Sequence, residues 1–205
     1  MKTEVISADD PSALRRAAEI LRRGGLVAFP TDTVYGVGAL AFEARAVQRL
    51  YIVKGRSTGK AIAVLVARNS DLLKVAKELT PSAQKLALKF WPGALTLVVP
   101  KHPGLPPAVS PLSTVGVRQP AHPFALRLLA SAGPLAVTSA NRSDEPNSLT
   151  AEEVLAQLAG RIDLIVDGGR TPGSTPSTVV DCTQAAPIIL REGPISSEQI
   201  NAAVR

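Results

Sequence analysis

Short apolar runs that stop at a glycine, a proline or a cluster of hydroxyls alternate with helix-period segments along all 205 residues. That alternation restricts the chain to an α/β domain, in which helices cover the faces of a sheet built from buried strands. Strands are expected at 26–29, 61–66, 94–99, 115–117, 135–138, 162–166, 178–181 and 188–190. A first helix is expected after Asp10-Pro11, with Leu14, Ala17, Ala18 and Leu21 on one face and Gly24-Gly25 at its end. A second spans about 43–53 with Val47, Leu50 and Tyr51 inward. Thr80-Pro81 opens a third that buries Ala83, Leu86, Ala87 and Phe90 and stops at Trp91-Pro92-Gly93. Another follows from about His122. Thr150 with Glu153, and Ser196 with Gln199, have capping-box spacing, the first opening a helix with Val154, Leu155 and Leu158 inward. The proline-rich stretch 100–111 reads as a surface loop.

At this length a single domain over 1–205 buries enough surface to need no staple. Aromatic residues are only 3%, so the core must rest on Leu, Val, Ile and Ala. The one cysteine, Cys182, excludes an internal disulfide and a cysteine-based metal cluster, and two histidines, His102 and His122, argue against a histidine-rich one. The N-terminus carries no apolar secretory run, and no stretch approaches the ~20 apolar residues of a membrane span, so a cytoplasmic location is expected. A net charge of +6 favours anionic partners such as phosphates or nucleic acid, although a basic solvated surface has the same charge.

In α/β sheets ligands gather at strand ends. Four polar segments follow apolar strands or close a helix: 30–38, 54–60, 138–150 and 173–178. Pro30-Thr-Asp-Thr-Val-Tyr-Gly-Val-Gly38 offers hydroxyls, a carboxylate and two glycines that permit close backbone approach. The plainer reading is a turn in which Asp and Thr bond the backbone. Lys54-Gly-Arg56, with Lys60 close behind, can clamp phosphate, or can simply complement the C-terminal end of a helix. Thr138-Ser-Ala-Asn141 suits a carboxylate, phosphate or ribose, and equally a local turn. In 173–178, Ser177 stands where a glycine- and proline-containing loop enters a strand. Arg118 and Arg191 each end an apolar strand, as a phosphate ligand or a surface ion pair would. Neither G-x-x-x-x-G-K-[ST] nor G-x-G-x-x-G is present, and no Ser-His-Asp or Cys-His set is persuasive.

Taken together and in order, these segments resemble the YrdC family: Pro30-Thr-Asp-Thr-Val-Tyr-Gly36, Lys54-Gly-Arg56, Phe90-Trp-Pro-Gly93 with Leu95-Thr96, Val117-Arg118, Ser139-Ala-Asn141, Ser177-Thr-Val-Val-Asp181 and Ile189-Leu-Arg191. The resemblance runs from about Ala8 to Ile195. It implies a single YrdC-like α/β domain, with a twisted mixed β-sheet flanked by helices and a deep basic cavity. It further implies an L-threonylcarbamoyladenylate synthase, which makes threonylcarbamoyl-AMP and pyrophosphate from L-threonine, bicarbonate and ATP. A separate transferase complex would then modify adenosine 37 of tRNA. By that resemblance Thr33, Arg118 and Ser177 hold threonine, and Ser139 bridges the two ligands. Lys54 and Arg56 form the catalytic phosphate clamp, with Asn141 and Arg191 on the nucleotide and Lys60 and Thr114 at its margin. Mg²⁺ is expected with ATP, without a dedicated protein ligand set, and direct tRNA contact stays open.

The chain departs from the family pattern at Ser57, Ala61-Ile62, Leu65 and Ser143-Asp144, where relatives often carry proline, many carry Pro-Leu, some carry histidine and Ser-Gly is usual. It ends soon after Arg191 and so resembles the short form, a form shared with the YciO subgroup. Two other readings stand beside the synthase. One is an RNA-binding module, which the charge favours and the scarcity of aromatics for base stacking disfavours. The other is a carbamoyl-transfer enzyme acting on a different amine.

Overall fold

A computed structural model describes residues 2–173 and 175–205. Ser174, inside the expected loop 173–178, lies outside the described residues. The strands are β1 (Glu4–Ser7), β2 (Val27–Phe29), β3 (Gly36–Leu40), β4 (Ala63–Leu65), β5 (Leu95–Pro100), β6 (Thr114–Arg118), β7 (Leu135–Ser139), β8 (Leu164–Asp167), β9 (Thr178–Asp181) and β10 (Ile188–Arg191). The helices are α1 (Ala13–Arg22), α2 (Ala44–Lys54), α3 (Leu72–Val75), α4 (Pro81–Phe90), α5 (Pro123–Ala132), α6 (Ala151–Leu158) and α7 (Ser197–Val204).

All ten strands form one mixed sheet in the order β1-β8-β2-β3-β7-β4-β6-β5-β9-β10. The pairs β1/β8, β2/β8, β4/β6 and β5/β9 are parallel and the remaining neighbours antiparallel. Side chains alternate between the two faces with the period of two that a strand imposes. Ala28, Val64, Leu97, Val117, Ala136, Ile165 and Val180 point into one core, together with the buried sides of α2, α3, α4, α6 and α7. Val27, Phe29, Leu65, Leu135, Val137, Leu164 and Val166 point the other way, against α1 and α5.

The two faces are therefore covered unequally. Five helices pack on the first, but α1 and α5 cover the second mainly over the β1-to-β7 half. On the remaining half the residues between the core positions, Thr96, Val98, Gly116 and Val179, border an open concavity instead of a helix. The concavity lies on the face that α1 and α5 cover only in part.

Local signals placed most elements, and several details differ. Ser12, not Asp10, takes the N-cap position of α1 without a side-chain cap bond, and the Asp10 carboxylate accepts from Ser12 N and Oγ in the turn that leads into the helix. Thr150 caps α6 by accepting from Glu153 N, but the Glu153 carboxylate accepts from Leu149 N, so only half of the expected box forms. Leu155 is 37% exposed instead of inward. His122 is the N-cap residue of α5 without a side-chain cap bond. Residues 36–38, read as the end of the polar segment 30–38, open strand β3 inside the sheet.

Candidate active site

The concavity has a volume of about 460 Å³. Its floor is apolar and low: Gly36, Ala63, Leu65, Val98, Gly116, Val137 and Val179. A Cβ on Gly116 would stand 3.1 Å from Thr96 Cγ2 and 3.7 Å from Ala63 Cβ, so the missing side chain keeps the floor flat. Leu65 adds to the apolar surface. The walls are polar. Six of the ten residues singled out from the sequence line it: Thr33, Arg56, Arg118, Ser139, Ser177 and Arg191.

Arg118 ends β6 and is 7% exposed. Its Nε donates to Gly93 O at 2.9 Å, its Nη1 to Thr33 Oγ1 at 3.1 Å and its Nη2 to Asp32 Oδ1 at 2.6 Å. Three of the five guanidinium donors are thus committed within the protein, which leaves one N–H on each Nη for a ligand. Burial lowers the pKa of Arg118, and the Asp32 carboxylate opposes that shift. Thr33 is held in turn, since Thr31 Oγ1 lies 3.1 Å from its hydroxyl and donates to Val34 O.

Ser177 Oγ shares a 2.7 Å hydrogen bond with Thr96 Oγ1, and both residues are buried. Arg191 crosses from β10 to donate through Nε and Nη2 to Ser177 O, at 3.1 and 2.8 Å. Its pKa is lowered by burial and then by the charge of Arg118. Glycine makes this crossing feasible, because a Cβ on Gly193 would fall 2.5 Å from Thr178 N and against the Pro176 carbonyl. Arg56 Nη2 donates to Ala61 O at 3.0 Å, which holds its guanidinium at the cavity wall. Three arginines and no Asp or Glu line the cavity among the described residues. Asp32 compensates one of those charges from behind, so an anionic ligand would balance the rest.

The other four residues lie elsewhere. Lys54, the last residue of α2, is 3% exposed and sends its ammonium to Ser139 O at 2.5 Å, to Asn141 O and to Asn141 Oδ1 at 3.4 Å. Its charge is directed to the backbone at the end of β7 and just beyond it, and not into the cavity. Asn141 is buried with its amide donating to Arg142 O and Glu145 O, and is consumed in the same loop. Lys60 is exposed and contributes its carbonyl to Arg56 Nε and to the Tyr51 hydroxyl. Thr114 opens β6 opposite Pro100, away from the lining. Conversely, Thr31, Thr138 and Asn147, from the candidate segments but given no individual role, line the cavity, as does Thr96 from outside them. For Thr96 the signal was present, as the one polar residue in the apolar run 94–99.

The model of the Sua5–YciO–YrdC family, described as telomere recombination, matches residues 19–193. This chain belongs to that family. It is 42% identical over 193 residues to the threonylcarbamoyl-AMP synthase of Pyrococcus abyssi, which aligns 93% of this chain with 57% of the relative. It is 43% identical over 205 residues to the threonylcarbamoyl-AMP synthase of Bacillus subtilis, 98% of this chain against 59% of that one. The chain therefore spans less than two thirds of the length of these curated relatives. The crystal structure of P. abyssi Sua5 complexed with L-threonine superposes with a TM-score of 0.93 at 39% identity, over 99% of this chain and 61% of that one. The mixed sheet and its flanking helices are those of the Sua5–YciO–YrdC fold.

Proposed function

We propose that this Sua5–YciO–YrdC protein is an L-threonylcarbamoyladenylate synthase, a nucleotidyltransferase that converts L-threonine, bicarbonate and ATP into threonylcarbamoyl-AMP and pyrophosphate. The observation that carries the reading is the convergence of Thr33, Arg56, Arg118, Ser139, Ser177 and Arg191 on one cavity. The L-threonine complex of the P. abyssi relative supports it.

The chemistry needs alignment and charge neutralisation more than a nucleophilic side chain. The threonine amine and bicarbonate give a carbamate and water. A carbamate oxygen then attacks the α-phosphorus of ATP, forming the new P–O bond as the bond to pyrophosphate breaks. Arg118, with one N–H free on each Nη, suits the threonine carboxylate, and Thr33 and Ser177 supply hydroxyls beside it. Arg56 and Arg191 suit the phosphates, whose leaving pyrophosphate gathers negative charge in the transition state. Ser139, on the same lining, would bridge the two ligands. The flat apolar floor at Gly116 and Ala63 suits a planar base.

Mg²⁺ enters this reading on the phosphates of ATP. Among the described residues no three His, Cys, Asp or Glu converge, and the nearby Asp32 carboxylate is turned to Arg118, so water and phosphate would complete the coordination of the ion. The product would pass to a transferase complex for threonylcarbamoyladenosine formation at position 37 of tRNA, in the cytoplasm. No helix of the described residues is long and apolar enough to cross a membrane.

The test is pyrophosphate release from ATP, with threonine and bicarbonate each omitted in turn. The reading requires dependence on both. Release that accepts other amines equally well would move the assignment to a different carbamoyl transfer on the same fold.

A further inference from the structure

The two short motifs K-G-R and S-A-N each send one residue into the cavity and one behind its wall. Arg56 and Ser139 line the cavity, and Lys54 and Asn141 do not. The two hidden members meet. An ammonium carries three donors, and three oxygens surround that of Lys54: Ser139 O, Asn141 O and Asn141 Oδ1. With those contacts made, no N–H remains for a phosphate. The main chain adds a fourth link, because Ser143 N donates to Lys54 O at 2.9 Å. The Asn141 amide then ties the far side of the turn to Arg142 O and Glu145 O.

Gly55 makes the division between Lys54 and Arg56. It caps α2 at φ 62°, in the left-handed region that glycine enters without penalty. The chain turns there, so that Arg56 leaves the helix towards the cavity while Lys54 stays packed beneath it.

We propose that Lys54 is a positioning residue, which acts through the turn after β7: its ammonium, with Asn141, fixes Ser139 at the cavity and does not touch the substrate phosphates. This deepens the synthase reading and rests on it for its kinetic consequence, but the contact itself can be tested without any activity.

The test has two arms. In the first, protein carrying ¹⁵N-labelled lysine and ¹³C-labelled carbonyls is studied by NMR with and without ATP and Mg²⁺. Slowly exchanging Lys54 ammonium protons, with hydrogen-bond couplings to the Ser139 and Asn141 carbonyls that persist when ATP is added, are the expected result. Couplings that vanish on ATP addition, with a new contact to ³¹P, would overturn the proposal even if the protein catalysed nothing. In the second arm, Lys54→Met and Lys54→Ala are compared with the wild type. A displaced catalytic constellation loses about 100-fold in rate, so kcat is expected to fall on that order while the Kd for ATP moves less than about threefold. Propylammonium added to Lys54→Ala is expected to restore part of the loss by refilling the ammonium site. A loss confined to ATP affinity, with kcat intact, would mark Lys54 as a phosphate ligand and contradict the proposal. If the wild type shows no threonine-dependent turnover, the synthase reading fails and the NMR arm alone decides the role of Lys54.

Discussion

Lys54 and Arg56 stand two residues apart, yet only the second faces the cavity: Arg56 Nη2 is held by Ala61 O at 3.0 Å, and Lys54 Nζ by Ser139 O at 2.5 Å. Two cations that look equivalent in the sequence thus have different surroundings, one the cavity and the other the backbone that presents Ser139.

Replacement of Arg56 by alanine is expected to lower turnover about 100- to 1,000-fold, the usual effect of removing one preorganised charge-stabilising group. Among the described residues its guanidinium bonds only to the carbonyls of Lys60 and Ala61, so the fold is expected to survive. Steady-state pyrophosphate release, paired with a thermal melt, measures both. Near-native turnover in a folded variant would remove Arg56 from the phosphate site.

Lys54 carries a stability signature in pH. Burial, and then the charge of Arg56, lower its pKa from 10.5 to about 7, whereas an unfolded lysine titrates near ~10.4. Between those values the unfolded chain binds the additional proton, so the unfolding free energy rises with pH across that window. Below about 7 both states are protonated, and this residue adds no further pH dependence. Relative to Lys54→Met, which does not titrate, the wild type is expected to gain up to about 4 kcal/mol from pH ~7 to ~10. Urea unfolding of both proteins at several pH values reads the difference. A flat difference would contradict the depressed pKa.

Gly116 keeps the floor open. Gly116→Val places a branched side chain against Thr96 and over the floor beside Ala63. Valine suits a strand, so β6 is expected to persist. Binding of ATP or threonine, read by calorimetry, is expected to weaken by about tenfold or more, since overpacking on this scale costs about 1–3 kcal/mol. Unchanged affinity for both ligands would show that neither rests on this part of the floor.

Asp144 adopts φ 67°, in the left-handed region that favours glycine. Aspartate tolerates this region better than most residues but remains strained by roughly 1–2 kcal/mol. Glycine would remove that strain and return roughly 0.5–1 kcal/mol to the unfolded chain as entropy. Asp144→Gly is expected to raise the melting temperature by about 1–2 °C, and a lowered one would contradict this account of the turn.

Much of this architecture was legible where local chemistry decides it. Thr80 and Ser196 cap their helices as their spacing implies, because the acceptor and donor lie within one turn of chain. β3 was not legible. Gly36 and Gly38 have poor strand propensity, and the reason for them is tertiary: a Cβ on either would press on Val137, at 2.7 and 3.0 Å. The segments that line the cavity were legible only in combination, since each one alone fitted a local turn, a helix end or a surface ion pair as well. Which member of each motif faces the ligand was not. The positive φ of Gly55 and the three oxygens around Lys54 arise only when α2 packs beside the end of β7.

The most direct test of the synthase reading is to incubate the protein with ATP, Mg²⁺, L-threonine and [¹³C]bicarbonate and to identify the nucleotide product by mass spectrometry. The account predicts threonylcarbamoyl-AMP carrying one ¹³C at the carbamoyl carbon, formed together with pyrophosphate and lost when Arg118 is replaced by alanine. AMP or ADP alone from folded protein, with no labelled adenylate, would contradict it.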